Sequence, residues 1–345
     1  MTTAASRRTL RGVNYDVGTD YGTVPSRVSW QRDDVVRDLT AIHDDLHCTS
    51  VNLFGTDIDR LAEAATIARE AGLGVWLQPR LVDRPSAEVL AHLADAARAA
   101  EALRVEHDEI VLNIGCEWSV FAAGLIPGRD YAERAANLGR PWRWPALPVY
   151  SRRLNVLLTE AVAVARADFT GPVTYAAGLW EQVDWRPFDL VGLNYYRLRQ
   201  NRLGFARRLR RHVLRGKPVV ITEFGCATFR GAAALGPAGH SIVQHGPDGP
   251  VLEPGHVRDE QEQADYLTDL LEVYRSAGVA GTFAFEFAEP YKPHSAEPRT
   301  DLDMSGYGIV KVLPGRPEGP ISWEPKAAFH ALAHAYARRD DDRAS

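Results

Sequence analysis

The segment Ile110-Val-Leu-Asn-Ile-Gly-Cys-Glu117 is a short run of mostly apolar residues that ends in a carboxylate. Runs of this length, rich in β-branched residues, are typical of buried strands in a parallel sheet. Longer segments with a helical spacing of apolar residues flank it, and the same alternation continues along the chain. This alternation predicts repeated βα units and a parallel sheet.

Eight such runs are present, and eight parallel strands close a (β/α)8 barrel. We therefore predict an α/β protein with one (β/α)8 TIM-barrel domain over residues 1–345 and an ordered core of about residues 9–340. The predicted strands are Leu10–Tyr15, Ser50–Phe54, Gly74–Gln78, Ile110–Glu117, Val173–Ala177, Leu190–Tyr196, Val219–Phe224 and Thr282–Phe287. The predicted helices are Arg32–His47, a helix capped by Asp57 that runs to Glu70, a helix that begins at Ser86, Tyr150–Ala167, Phe205–Leu214, Asp259–Ala277 and Pro325–Arg338.

The composition, with 45% hydrophobic and 25% charged residues and a net charge of −5, is that of a globular protein with a large core. Because acidic and basic residues are interspersed, no long-range field favours nucleic acid or a membrane surface as a partner. Three cysteines without a Cys-x-x-Cys pair favour a reducing compartment over disulfides or structural zinc. With no signal segment and no apolar run of about 18 residues, we expect a cytoplasmic location.

Three connections are long, and each follows a strand: Trp118–Pro148, Gly225–Arg258 and Ala288–Glu324. Loops after the strands of a barrel lie at its carboxyl-terminal face, where active sites of this architecture are found. The second connection is rich in glycine, proline and histidine, which is equally compatible with a lid over the site and with a mobile loop.

Two strands, the fourth and the seventh, end in glutamates: Glu117 and Glu223. A carboxylate at the end of a buried strand is costly to desolvate unless a partner or a function holds it there. Either one alone could be a salt bridge at the barrel rim, but two that face one pocket suit glycosidic bond cleavage. The idea fails if either side chain turns into the helical layer or pairs with a basic side chain away from any cavity.

The order of these motifs resembles that of the clan A glycoside hydrolases, the superfamily of β-glucosidases, cellulases and β-mannanases. Ile-Gly-Cys-Glu117-Trp and Ile-Thr-Glu223-Phe-Gly stand where the clan has an acid/base and a nucleophile, and Phe188–Tyr196 is similar to its sixth strand. The resemblance implies retention through a covalent glycosyl intermediate. It also implies that Tyr196 hydrogen-bonds the nucleophile, and by alternation Asn194 points the same way.

Three positions depart from the clan's pattern. Cys116 replaces the asparagine that contacts the sugar 2-hydroxyl in the clan, although packing between strand and helix is the favoured explanation. The second-strand arginine is absent, and Arg80 is either its replacement or a surface salt bridge. The eighth-strand tryptophan is absent too, and Glu286 there would bind a sugar hydroxyl, bind a cationic substrate group, or be structural.

The catalytic residues predicted are Glu117, Glu223 and Tyr196. Because sugar rings stack on aromatic faces and their hydroxyls need polar partners, we also predict a set of substrate-binding residues: Asn194, Trp118, Arg80, Asn14, Asn52, Trp180 and Glu286.

Other chemistries lack their motifs. None of the eleven histidines ends a predicted strand, so no metal site is expected, although His240 and His245 could approach the pocket. No phosphate-binding loop or nucleotide fingerprint is present, and no cofactor is expected. The expected partner is a saccharide or a small-molecule glycoside, with the oligomeric state open. The rival interpretations are a carbohydrate-binding barrel without turnover and a transglycosidase.

Overall fold

The computed structural model describes residues 9–22, 25–107, 109–246 and 249–337. Its centre is a closed ring of eight parallel strands, in the order β1-β8-β7-β6-β5-β4-β3-β2, so the predicted (β/α)8 barrel is confirmed. The ring closes where Leu10 of the first strand pairs with Gly281 of the last. Its strands are β1 Leu10–Gly18, β2 Ser50–Gly55, β3 Gly74–Pro79, β4 Ile110–Cys116, β5 Val173–Ala177, β6 Val191–Asn194, β7 Val219–Phe224 and β8 Gly281–Ala284.

Helices connect these strands and surround the ring. Aliphatic side chains between helices and strands form one large core, which extends from the first helix to the last. The α-helices are Arg32–Asp44, Ile58–Glu70, Ser86–Glu106, Trp118–Phe121, Tyr131–Leu138, Leu147–Asp168, Phe205–Val213, Ala232–Leu235, Glu260–Ala277 and Ala327–Ala337. As predicted, Asp57 caps the second of them, accepting hydrogen bonds from the backbone N–H groups of Asp59 and Arg60.

The long connections contain secondary structure of their own. Residues 118–148 hold two short α-helices and a 3-10 helix at Pro141–Ala146, and Asp130 caps the helix Tyr131–Leu138. The connection after β7 folds into a 3-10 helix and an antiparallel hairpin of Val243–Gly246 with Gly249–Leu252. A second antiparallel pair, Val310–Val312 with Trp323–Pro325, follows β8.

Three predicted strands run past the observed ones. β4 ends at Cys116, β6 ends at Asn194, and β8 ends at Ala284, so the residues beyond them belong to the loops of the carboxyl-terminal face. Register shifts interrupt the strand pairing near each of these ends. Such irregularities reorient side chains at the rims of barrels.

The irregularity in β7 decides where its glutamate points. Trp76 and Phe283 belong to strands that are not neighbours, and their ring centroids lie 5.0 Å apart, so this contact crosses the barrel interior. Val220 joins that interior cluster, whereas Ile221 packs in the outer core. Strict alternation would therefore turn Glu223 outward, and the shift that pairs Asn194 with Glu223 brings its side chain to the mouth of the barrel instead.

Within the described residues, no helix is both long and apolar enough to cross a membrane.

Candidate active site

Glu117 stands directly after β4, in the left-handed backbone conformation with φ 42° and ψ 44°. Its N–H donates to the carbonyl of Ala176 on β5 at 3.0 Å, and its own carbonyl accepts from Val120 and Phe121 of the short helix Trp118–Phe121. The backbone is therefore anchored to the sheet on one side and to the helix on the other. Its side chain is partly exposed.

Glu223 is only 5% exposed, and both of its carboxylate oxygens are engaged. Arg80 donates to Oε1 at 3.0 Å, and the hydroxyl of Tyr196 donates to Oε2 at 3.1 Å. The Tyr196 contact is the one that the family resemblance implies, although its part in a reaction remains a prediction. Donors on both oxygens fix the plane of the carboxylate.

Arg80 is a buried residue, 4% exposed, and not a surface salt bridge. It follows β3, donates to Oε1 of Gln78 at 2.8 Å, and lies over the ring of Phe54 at 4.1 Å from the centroid. Its ion pair with Glu223 lies beside the other site residues at the barrel mouth, not in the helical layer. A buried ion pair held by further hydrogen bonds keeps both partners in one geometry.

Asn194 connects the two glutamates. Its amide donates to Oε1 of Glu117 at 3.0 Å and to Sγ of Cys116 at 3.3 Å, while Thr222 donates to its Oδ1 at 2.8 Å. The thiol of Cys116 in turn donates to Oε1 of Glu223 at 3.4 Å. This corrects the favoured explanation of Cys116 as a packing residue, because the sulfur stands between the polar groups of the site.

Burial, followed by the negative charge of Glu223, raises the pKa of Glu117 from 4.5 to about 8. The hydrogen bond from Asn194 opposes this shift without cancelling it. A carboxyl group with such a pKa keeps its proton at neutral pH and can donate it to a bound substrate.

Glu181, which the sequence analysis missed, lies behind Glu117. It accepts from the backbone N–H of Ser119 at 3.0 Å, from that of Gly178 at 3.0 Å, and from the hydroxyl of Tyr175. Burial raises its pKa to about 7 despite these hydrogen bonds. Its negative charge also raises the pKa of Glu117 and so helps to keep that side chain protonated.

A second acidic group lies on the side of β8 and β1. Glu286 follows β8, and Asp16 lies on β1; both are buried, and burial raises the pKa of each. Glu289 accepts from the ammonium of Lys292 at 2.7 Å. Although burial alone would raise the pKa of Glu289, Lys292 and two backbone N–H groups hold it below its usual value. Asp16 and Glu289 were not among the predicted site residues.

The aromatic side chains that are exposed at the site differ in part from the predicted ones. Trp118 is 3% exposed and packs in the core against Tyr175, with ring centroids 5.6 Å apart, so it presents no free face to a sugar. Trp180 is partly exposed, and its indole N–H donates to Ser119 at 2.8 Å. Phe285, which was missed, follows β8 and is also partly exposed, 5.8 Å from the stacked ring of Phe54.

Asn14 and Asn52 lie below the site and are fully buried. The amide of Asn14 donates to the carbonyls of Thr222 and Ala284 at 2.9 and 3.2 Å, and its Oδ1 accepts from Asn52 at 2.6 Å. This corrects the predicted role of Asn14 in substrate binding, because its polar atoms are occupied in tying β1, β2, β7 and β8 together. The Oδ1 of Asn52 has no hydrogen-bond partner among the described residues, so the role of Asn52 stays a prediction.

Two other features lie apart from these residues. A surface groove of about 390 Å³, lined by Arg197, Glu262 and Asp269, contains none of them. In the described ranges, no group of three or more His, Cys, Asp and Glu side chains is arranged to hold a metal ion. The Nδ1 of His240 lies 3.2 Å from the hydroxyl of Tyr307, whose backbone N–H donates to Glu289, so His240 approaches the acidic residues beside β8.

No protein-family model and no curated protein sequence matches the chain. Among solved structures, a β-glucuronidase from Bacteroides uniformis is similar with a TM-score of 0.59 at 12% identity, over 96% of this chain and 35% of that one. Cel5A from Thermotoga maritima, in complex with cellobiose, has a TM-score of 0.54 at 12% identity over 94% and 96% of the two chains. A β-glucosidase has a TM-score of 0.54 at 11% identity over 97% and 100%.

The likeness shows the fold. That fold is the one that the resemblance to the clan A glycoside hydrolases implies. The chain spans about a third of the length of the first β-glucuronidase chains that it matches, at 37% and 34%.

Proposed function

We propose that the chain is a glycoside hydrolase that cleaves a β-glycosidic bond with net retention of configuration. The observation that carries the proposal is the pairing of Glu117 with Glu223 at the barrel mouth. Asn194 and Cys116 connect them, and burial, followed by the charge of Glu223, raises the pKa of Glu117 to about 8. Two carboxyl groups with different protonation states are what this reaction requires.

In the first step, Glu117 gives its proton to the leaving oxygen while an oxygen of Glu223 attacks the anomeric carbon. The glycosidic bond breaks, the aglycone leaves as an alcohol, and the sugar forms an ester with Glu223. In the second step, Glu117 takes a proton from water, which attacks the same carbon and frees Glu223. Tyr196 and Arg80 would hold the attacking carboxylate in place throughout.

The β-configuration and the saccharide substrate are inferred from the names of the structural neighbours, β-glucuronidase, β-glucosidase and a cellobiose complex. Phe285, stacked on Phe54, and Trp180, which donates to Ser119, are both partly exposed and are the aromatic surfaces proposed to contact sugar rings.

The test is hydrolysis of a panel of 4-nitrophenyl β-glycosides by the wild type, by Glu223→Gln and by Glu117→Gln, with Glu297→Gln as a matched exchange at an exposed loop residue. We expect release of nitrophenol by the wild type and the control, and its loss in Glu223→Gln. Proton NMR of the first-formed sugar should show the β-anomer. An α-anomer would remove Glu223 as the nucleophile.

One observation favours a second function, a carbohydrate-binding barrel without turnover. Cys116 stands where the clan places a sugar-contacting asparagine, and a thiol is a weak hydrogen-bond partner. Sugar binding without nitrophenol release, unchanged in Glu117→Gln and Glu223→Gln, would support it. Transfer of the sugar to an added alcohol instead of water would indicate a transglycosidase acting through the same ester.

We also propose a single catalytic domain over residues 1–345 and a cytoplasmic location. The three cysteines are free and buried, which supports a reducing compartment.

A further inference from the structure

Glu286 is a buried carboxylate that lacks a partner. It is 4% exposed, and its Oε2 atom is shut off from solvent with no hydrogen-bond partner among the residues that the structure describes. Leaving such an acceptor unsatisfied costs free energy, so its persistence requires an explanation. A ligand group that supplies the missing donor is one.

The charged groups around Glu286 are Asp16, Glu289, Lys292 and Arg80. Both cations are already engaged, Lys292 with Glu289 at 2.7 Å and Arg80 with Glu223 at 3.0 Å. Asp16 accepts from the backbone N–H of Gly18 and the hydroxyl of Thr19, and among the described residues it forms no ion pair, although the charge of Arg27 favours its ionised form. The cluster therefore has more carboxyl groups than cations to pair with them. Burial and the neighbouring carboxylates raise the pKa of Glu286, and a positive ligand would favour its ionised form.

The position of the cluster indicates which part of a substrate it would meet. Around the ring, β7, β8 and β1 are neighbours, so Glu223, Glu286 and Asp16 follow one another along the rim. Glu117 lies on the opposite side of Glu223, beyond β6 and β5. Because Glu117 serves the leaving group in the proposed reaction, groups beyond Glu223 face the sugar that is transferred.

We propose that Glu286, with Asp16 beside it, binds a protonated amine on that sugar, so that the substrates are β-glycosides of amino sugars. An ammonium group offers three donors and one positive charge, which match the free acceptor and the uncompensated acid of the cluster. A hydroxyl would supply a donor without a positive charge to balance an ionised Glu286, and the carboxylate of a uronic acid would add a negative charge where both cations are already paired. This inference rests on the proposed function for its geometry.

The kinetic test uses 4-nitrophenyl β-glycosides at mildly acidic pH. Two pairs compare a free amine with its N-acetyl form, one at the 2-amino-2-deoxyglucoside and one at the 6-amino-6-deoxyglucoside. The glucuronide is the anionic comparison. We expect one free amine to exceed its acetylated partner in kcat/KM, and Glu286→Gln to lower that ratio about 10- to 100-fold, as expected for a hydrogen bond to a charged group. Asp16→Asn should lower it in the same direction. Glu297→Gln should leave it unchanged.

A binding measurement separates this inference from the proposed function. Calorimetry with glucosamine, glucose and N-acetylglucosamine should show binding of the amine alone, with release of protons as Glu286 ionises. Turnover of neutral glycosides or of the glucuronide, without preference for either amine, would overturn the inference and leave the hydrolase. Amine binding that is lost in Glu286→Gln, without any turnover, would keep the inference and overturn the hydrolase.

Discussion

Replacing Glu117 by glutamine should stabilise the protein at alkaline pH, because the folded environment favours the protonated form of this side chain over the ionised form. The unfolded chain ionises it near the ordinary pKa of 4.5, whereas the folded chain does so at about 8. Between these values only the folded state keeps the proton, so the free energy of unfolding falls as pH rises and stays low above about 8. Glutamine cannot ionise and removes this loss.

The size of the effect follows from the pKa shift. A rise from 4.5 to about 8 corresponds to roughly 5 kcal/mol between the two protonation states. Because Glu117 is partly exposed and part of the shift comes from Glu223, we expect a gain of about 2–5 kcal/mol at alkaline pH relative to acidic pH. In a Glu223→Gln background the gain should be smaller, since that charge is then absent.

Urea unfolding of the wild type and Glu117→Gln, at pH values below 4.5 and above 8, measures the difference directly. Glu297→Gln is the matched control, with the same chemical exchange at an exposed position. Equal stabilities of the wild type and Glu117→Gln at both pH values would refute the reasoning, because Glu117 would then ionise as freely in the fold as in water.

Four further outcomes are expected. Tyr196→Phe should lose about 10- to 100-fold in kcat/KM while remaining folded, because it removes a hydrogen bond to the Glu223 carboxylate; a wild-type rate would contradict this. Arg80→Met should cost about 3–5 kcal/mol in urea unfolding, since it leaves that carboxylate buried and unpaired, whereas a loss below about 1 kcal/mol would place the pair in water. The value of kcat/KM should fall above about pH 8, as Glu117 loses the proton that the leaving group needs, and a flat profile there would exclude it as the acid. A thiol reagent should modify no cysteine in the native protein and three after unfolding, because burial raises the pKa of each: Cys48, Cys116 and Cys226.

Much of the fold could be predicted because it depends on local patterns. Neighbouring residues determine the eight strand segments and the helix cap at Asp57, and the structure confirms both predictions. The helix Tyr131–Leu138 also had such a signal, Asp130 three residues before Glu133, which was overlooked inside a connection taken for a loop.

The site was less predictable, because its contacts join distant parts of the chain. Arg80 and Glu223 are 143 residues apart, and nothing near either one specifies the other. Cys116 reaches the site through the register shift at the end of β4, since alternation from Ile110 and Leu112 in the outer core would turn it outward. The hydrogen bonds that hold Asn14 and Asn52 depend on backbone carbonyls of β7 and β8, and no nearby residue in the sequence indicates these contacts.

The hydrogen bonds from Arg80 and Tyr196 to the two oxygens of Glu223 would affect the lifetime of a sugar ester on that residue. While the ester exists, one oxygen is bonded to carbon and the carboxylate charge is gone, so the Arg80 guanidinium is left buried beside a neutral group. Loss of its paired counterion is unfavourable for a buried cation, and departure of the sugar restores the pair. The same pair that orients the attacking group would thus also hasten its release, which favours rapid turnover over a long-lived intermediate.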